Sequence, residues 1–486
     1  MDQRRPFYWG VLLIVSMAIF ILVIDTTMMN VSINALVGDL DTTVSTIHST
    51  IAIYTLVMAS FMLIGAKLQD VLGRKKAFLI GLAVYGVGTF TASISLNAAM
   101  LLLGWSIFEG IGAALMLPAT ATFITEAYEG RDRAIAFGIW GGIAAAASAF
   151  GPIIGGYLTT FYTWRIAFLI ELIVVFTIFA LHRQIIKTPP LTSWKGFDLG
   201  GSLLSVIGLV VLVFGILGIK EPENWGMIPV LLLGGLILLA GFYVWEKRRI
   251  RAGRDVLVDV TIIPERTFLA GNVVATGLNV VIAGFLFIFP LFFQTVTGIS
   301  AYDTGVILLP MSFAVFFFSI LGAKFSTWFE PKYVLLSGIA LTGAGLAALR
   351  DVFSLTTTGA DILPGTVIFG IGMGVVLSQI TNITLGAIGS DRQTDASGIY
   401  NTTRQLGSSL GTAVIGIVLA IGFVFGLVAG VSGTPSGLPP DQAQWVTGIA
   451  DAAVNQGMEW AFWAMILVVI GIFIAALFIR KTGKIT

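Results

Sequence analysis

The chain contains no cysteine, which excludes disulfides, thiolate metal sites and cysteine nucleophiles. Histidine is almost as scarce. His48 and His182 stand far apart, so a histidine-based metal site or a histidine-dependent triad has no basis. Charge is the third shortage. Asp, Glu, Lys and Arg make up 11% of the 486 residues, against roughly a quarter in soluble domains. The net charge of +1 provides no field that would gather a polyanion. A water-soluble enzyme, a disordered chain and a nucleic-acid binder are therefore excluded. No Gly-x-x-x-x-Gly-Lys-Ser/Thr loop occurs, which argues against an ATP-driven pump.

What the chain has is apolar surface and glycine. Hydrophobic residues reach 57%, with 57 Gly and 35 Phe, and the mean hydropathy is +0.96. About 20 apolar residues span a bilayer as a helix, and fourteen such runs are present. They lie near 9–36, 48–67, 77–96, 99–124, 134–159, 165–183, 198–219, 227–246, 267–294, 303–325, 333–350, 362–387, 395–427 and 459–480. Barrel strands would alternate in units of about ten residues, and in lipid each segment must satisfy its own backbone, so these are helices. The first run is too long for a signal peptide and carries Asp25, so it is expected to remain. The longest further segment reads as a Gly/Pro-rich outer loop at about 429–457.

Placing the N-terminus in the cytoplasm puts 23 of the 27 Lys and Arg on the inner side. Arg165, Lys220 and Arg350 then lie outside, and Arg404 lies within a span. This asymmetry follows the positive-inside rule and places both basic tails in the cytoplasm.

The sequence also repeats. GAKLQDVLGRKKAFLIG at 65–81 aligns with GAKFSTWFEPKYVLLSG at 322–338, and Gly110-Ile111-Gly112 aligns with Gly370-Ile371-Gly372. The near-constant offset pairs spans 2–5 with spans 10–13. The expected organisation is a six-helix bundle over 1–190, two inserted helices with linkers over 191–255, and a second six-helix bundle over 256–486. Repeated six-span halves are the pattern of a carrier that rocks around a midplane site.

Four motifs resemble those of the major facilitator superfamily, and most of all its fourteen-span drug:proton antiporter branch. Gly65-Ala66-Lys67-Leu68-Gln69-Asp70-Val71-Leu72-Gly73-Arg74-Lys75-Lys76 is similar to the loop signature between spans 2 and 3. Gly151-Pro152-Ile153-Ile154-Gly155-Gly156 resembles the antiporter motif of span 5. Asp25-Thr26-Thr27-Met28-Met29-Asn30 and Asn401-Thr402-Thr403-Arg404-Gln405-Leu406-Gly407 resemble hallmarks of spans 1 and 13. The resemblance implies that Asp70, Arg74 and Arg133, with Gly65 and Gly73, form a cytoplasmic gate, and that Gly151, Pro152, Gly155 and Gly156 form a hinge. Four positions depart from the pattern, one of them Asn34 where span 1 usually has a Pro. Ser106 stands where the family has a span 4 Arg, Glu109 where it has Gln, and Glu171 where it has Asn.

The departures leave three carboxylates in the membrane, Asp25, Glu109 and Glu171. A charge at the bilayer centre costs about 2.5–3.5 kcal/mol on insertion scales, and low dielectric disfavours the ionised form. Each is therefore a candidate proton carrier or an interhelical hydrogen-bond partner. Arg404 and Gln405, and Asn30 beside Asp25, are further candidates for the coupling and substrate path, or for helix packing. Polar spots at Asn272, Asn279, Gln294, Gln379, Asn382 and Asn401 line the path or act as interhelical glue.

The expected function is secondary active transport by alternating access, with proton-coupled export of amphipathic drugs or other small molecules. A proton symporter or a lipid or metabolite transporter of the same fold is the alternative. The chain is not expected to be an enzyme or to need a cofactor or metal. Its expected partners are protons, a small amphipathic substrate and the lipid of the plasma membrane, with no nucleic acid, and it is expected to act as a monomer.

Overall fold

The computed structural model describes residues 9–128, 130–185, 187, 189–190, 194, 197–218, 226–389, 392–432 and 442–480. Arg4, Arg5, Lys195, Lys220, Lys481 and Lys484, used above for orientation, lie outside the described residues, as do the side chains of Arg131 and Arg133.

Thirteen helices are long and apolar enough to cross a membrane, and a bent pair supplies a fourteenth. In order, the spans are Trp9–Val31, Val44–Leu72, Arg74–Ser93, Ala98–Ile124, the pair Ile139–Ser148 and Phe150–Phe161, and Arg165–Gln184. Leu199–Gly218 and Ile228–Arg251 are spans 7 and 8. Arg266–Val296, Ala301–Ser326, Pro331–Leu349, Gly359–Gly386, Gln393–Val431 and Val446–Leu477 complete the set. One apolar core gathers buried side chains from Val11 to Ile185, and a second gathers them from Ala270 to Ile479. The fold is thus two six-helix bundles with an inserted pair. Spans 7 and 8 pack on each other and dock beside spans 2 and 13, where Leu63, Phe242, Leu257 and Val260 share a small core.

The repeat is visible in backbone packing. A Cβ on Gly112 would lie 2.5 Å from the Tyr85 nitrogen and 2.7 Å from the Gly81 oxygen. At Gly372 the same contacts recur, 2.3 Å from the Thr342 nitrogen and 2.7 Å from the Gly338 oxygen. In each half a glycine lets spans 3 and 4, or 11 and 12, approach backbone to backbone, the usual route to tight association in lipid.

Span 5 bends by 42° between Ser148 and Phe150. Pro152 follows the bend and lacks the N–H that would bond the carbonyl four residues back, at Ser148. Gly151 and Gly155 face Thr27 and Met28 of span 1, and Gly156 faces the Ala301 backbone of span 10. Tyr302 N donates to Thr160 Oγ1 at 3.2 Å, and Gln294 Nε2 donates to the Val31 carbonyl at 3.0 Å. These contacts close the two halves at the end where span 1 finishes and span 10 begins.

The region near 429–457 differs from expectation. Helix Gln393–Ser432 and helix Gln442–Leu477 continue through most of it as a hairpin. Gly422, Gly426 and Gly430 recur every four residues, and Cβ atoms there would meet Gln456, Ala453 and Ile449. Gly430, in the stretch that reads as loop, extends a close-packing stripe that begins at Gly422 and Gly426 within span 13.

Gly372→Ala is expected to lower the thermal unfolding midpoint of the purified protein in detergent by several degrees. Gly471→Ala, at an open helical position, is expected to leave it unchanged or raise it, since Ala is the better helix former. Equal midpoints would show that the backbone approach at Gly372 is not a stability determinant.

Candidate functional site

The N-terminal half holds the three membrane carboxylates in one group. One oxygen each from Asp25, Glu109 and Glu171 lies within 4.8 Å of the others, and the residues are 0%, 0% and 1% exposed. They come from spans 1, 4 and 6. Trp105 Nε1 donates to Asp25 Oδ2 at 2.9 Å, and Tyr85 Oη donates to Glu171 Oε2 at 2.8 Å. Tyr54 of span 2 stacks on Trp105 with 5.8 Å between centroids, and its hydroxyl lies beside Asp25 and within electrostatic reach of the other two acids. Five of the six helices of this half therefore meet at the cluster.

Local structure explains how Glu109 reaches the group. Leu102–Glu109 is a π-helical segment, a widened turn often found at functional sites. Gly88 and Gly104 permit the approach, because a Cβ at Gly88 would lie 2.6 Å from both the Glu109 nitrogen and the Gly104 oxygen. Ser106, which stands at the Arg position of the resembled motif, donates to the Thr50 carbonyl at 2.7 Å. Among the described residues, no basic side chain forms an ion pair with any of the three acids.

Two like charges 4.8 Å apart repel by about 3–4 kcal/mol at an effective dielectric of about 20. All three acids cannot be ionised together without compensation. The group must hold protons or a cation.

The other candidates are placed elsewhere. Asn30 Nδ2 donates within its own helix to the Thr26 carbonyl at 2.8 Å. Arg404 lies over the Tyr400 ring at 5.6 Å, in a pocket between the halves lined also by Leu117, Trp140, Thr381 and Asn401. Gln405 Nε2 meets Met58 Sδ across the halves at 2.6 Å. A second, apolar crevice lies among Ser148, Phe285, Leu286, Met311, Phe369 and Met373. Of the remaining polar spots, Asn272, Gln294 and Gln379 join helices, as with Thr403 Oγ1 donating to Asn272 at 2.9 Å and Gln379 to the Gly322 carbonyl at 2.8 Å, whereas Asn279 and Asn401 donate within their own helices.

At the end of the bundle where spans 2 and 3 join, Arg74 pairs with Glu126 of its own half. Gly65 packs against the Ala114 backbone, and Gly73 makes the turn at φ 83°, where glycine is favoured. Asp70 is near Lys67 and Arg74. Lys67 and Asp70 also lie within electrostatic reach of Asp395 at the start of span 13, a cross-half proximity absent from the sequence reading. Trp105, Tyr54 and Tyr85 were missed as well. The available signal was that Trp105 precedes Glu109 by one helical turn.

Residues 15–412 match the family model of the Major Facilitator Superfamily. The chain belongs to the Major Facilitator Superfamily. It is 27% identical over 412 residues to the methylenomycin A resistance protein of Bacillus subtilis (strain 168), which covers 84% of this chain and 87% of that protein. It is 26% identical over 412 residues to the multidrug resistance protein Stp of Mycobacterium tuberculosis (strain CDC 1551 / Oshkosh), with 84% and 75% covered. The crystal structure of a D-xylose-proton symporter superimposes with a TM-score of 0.64 at 14% identity, over 99% of this chain and 100% of that one. That likeness supports the superfamily fold alone.

Tyr85→Phe is expected to destabilise the protein by about 1–3 kcal/mol, since it strips Glu171 of its buried partner. Adding Glu171→Leu is expected to recover most of the loss, because replacing both partners is nearly neutral. Thermal melts of the two variants check this, and a double variant less stable than Tyr85→Phe would contradict it.

Proposed function

We propose that this member of the superfamily is a proton-coupled exporter of small amphipathic compounds, with Asp25, Glu109 and Glu171 as its proton carrier. The observation that carries the reading is a cluster of three fully buried acids without a basic partner among the described residues. The resistance proteins named above support export. The pocket around Trp140, Tyr400, Asn401 and Arg404 and the apolar crevice at Phe285 and Phe369 suit an amphipathic substrate, offering aromatic faces and few polar groups.

Coupling passes through span 1. Asp25 is two residues from Thr27, whose hydroxyl meets the Ala147 carbonyl at 3.4 Å, beside the bend in span 5. Gly151 lies against the same threonine. Protonation removes charge from the cluster, lets spans 1, 4 and 6 pack, and biases the span 5 hinge formed by Gly151, Pro152, Gly155 and Gly156. Lys67, Asp70 and Arg74, with Arg133, gate the cytoplasmic side, with Gly65 and Gly73 shaping that turn. Residues 1–190 and 256–486 act as the two rocking bodies, both termini lie in the cytoplasm, and 191–255 forms a flank.

The test is transport in proteoliposomes with an imposed pH gradient and a panel of cationic and neutral amphiphiles. Proton flux is expected to appear with a transported compound, in the opposite direction to it. Asp25→Asn and Glu109→Gln are each expected to lower coupled flux at least tenfold. Flux in the same direction would mean symport, and turnover that survives both substitutions would remove the acids from the mechanism.

A further inference from the structure

The protein's own donors satisfy only part of the cluster. Asp25 Oδ1, both Glu109 carboxyl oxygens, Glu171 Oε1 and the Tyr54 hydroxyl are all buried and without a hydrogen-bond partner. Tyr54 is wholly buried and, being no acid, is independent of the charge cluster. Its hydroxyl has no hydrogen-bond partner within 3.5 Å, yet it lies beside Asp25 and within electrostatic reach of Glu109 and Glu171. An unmet buried polar group costs about 1–3 kcal/mol, and five converge here.

Geometry narrows the occupant. Three oxygens mutually within 4.8 Å have a common point no more than about 2.8 Å from each, close to the roughly 2.3–2.6 Å reach of a hard cation to oxygen. Calcium takes about six to eight oxygens, and magnesium keeps several of its waters. Five free oxygens in a fully buried group suit neither. A monovalent ion with two protons would also neutralise three acids. The other titratable groups facing the cluster are Tyr54 and Tyr85, and neither supplies a positive charge.

We propose that Asp25, Glu109, Glu171 and Tyr54 form a binding site for a sodium-sized monovalent cation, which competes there with protons. The proposal rests on the reading of this cluster as a site of exchangeable protons. It makes the carrier responsive to sodium as well as to pH. Sodium favours the deprotonated cluster and opposes proton loading, most strongly in alkaline medium.

The experiment uses the purified full chain in detergent, without any transported compound. Binding of radioactive sodium and the thermal midpoint are measured in NaCl against choline chloride at equal ionic strength, at pH 8.5 and pH 5.5. Saturable binding and a midpoint raised by several degrees in NaCl are expected at pH 8.5, with both lost at pH 5.5. Glu109→Gln and Tyr54→Phe are each expected to raise the half-saturating sodium concentration at least fivefold. Where one variant does not fold, the other and the wild-type pH comparison still decide. The absence of saturable sodium binding to the folded wild-type protein at pH 8.5 would overturn the proposal, as would displacement of sodium by equimolar calcium or magnesium. Proton-coupled flux in sodium-free liposomes is measured in parallel. Its persistence without sodium binding defeats this inference and leaves the exporter reading intact, whereas its absence alongside sodium binding defeats that reading.

Discussion

Repulsion among three carboxylates held in a low-dielectric core governs the N-terminal half. Asp25, Glu109 and Glu171 are sealed from solvent and near one another, so their combined charge must be reduced by bound protons or a bound cation. The span 4 position that carries an Arg in the resembled motif holds Ser106, which spends its hydroxyl on the Thr50 carbonyl. A fixed Arg would have neutralised one acid permanently. Its replacement makes neutralisation depend on something that can leave. Protein donors hold only part of the group, Trp105 on Asp25 and Tyr85 on Glu171.

The cluster lines neither inter-half cavity, and span 1 links it to the interface between the halves. The connection available is short. Span 1 carries Asp25 and Thr27 within one turn, and Thr27 touches span 5 where that helix loses a hydrogen bond to Pro152. Beyond the bend, Gly156 of span 5 meets Ala301, while Gly305 of span 10 meets the Pro152 backbone. Span 5 thus belongs to the proton-bearing half by its neighbours and to the interface by its far end. Span 1 is joined to the seal between the halves both through this bent helix and through its own Val31, whose carbonyl accepts from Gln294.

Much of this was legible in the sequence. Apolar run lengths located all fourteen spans because lipid enforces helix length, and the offset of the glycine motifs exposed the two halves. Asp25, Glu109 and Glu171 stood out because acids in apolar runs are costly. Their meeting did not, since it depends on a π-helical turn and on Gly88 and Gly104 bringing spans 3 and 4 together, neither of which has a periodicity signature. Arg74 illustrates a different limit. Its charge was evident, but its choice of Glu126 within its own half depends on tertiary geometry. The hairpin of spans 13 and 14 was misread because glycine serves both loops and close helix contacts, and spacing of four residues was the discriminating feature.

The repeat makes the chemical asymmetry between the halves specific. At the offset relating Gly112 to Gly372, Glu109 corresponds to Phe369. At the offset relating Gly81 to Gly338, Tyr54 corresponds to Met311 and Tyr85 to Thr342. Phe369 stacks on Phe285 at 4.6 Å, and Phe285 continues to Phe289 at 5.0 Å. The backbone packing is therefore shared while the core is chargeable in one half and aromatic in the other. An aromatic core offers no titratable group and keeps its packing across pH, whereas an acidic core changes its packing energy with each proton gained or lost. Rocking two bodies against each other converts ion binding into movement when one body responds to the ion and the other does not. The division of Glu109 from Phe369 puts a titratable side chain in the N-terminal half and a stacked aromatic ring at the equivalent place in the C-terminal half.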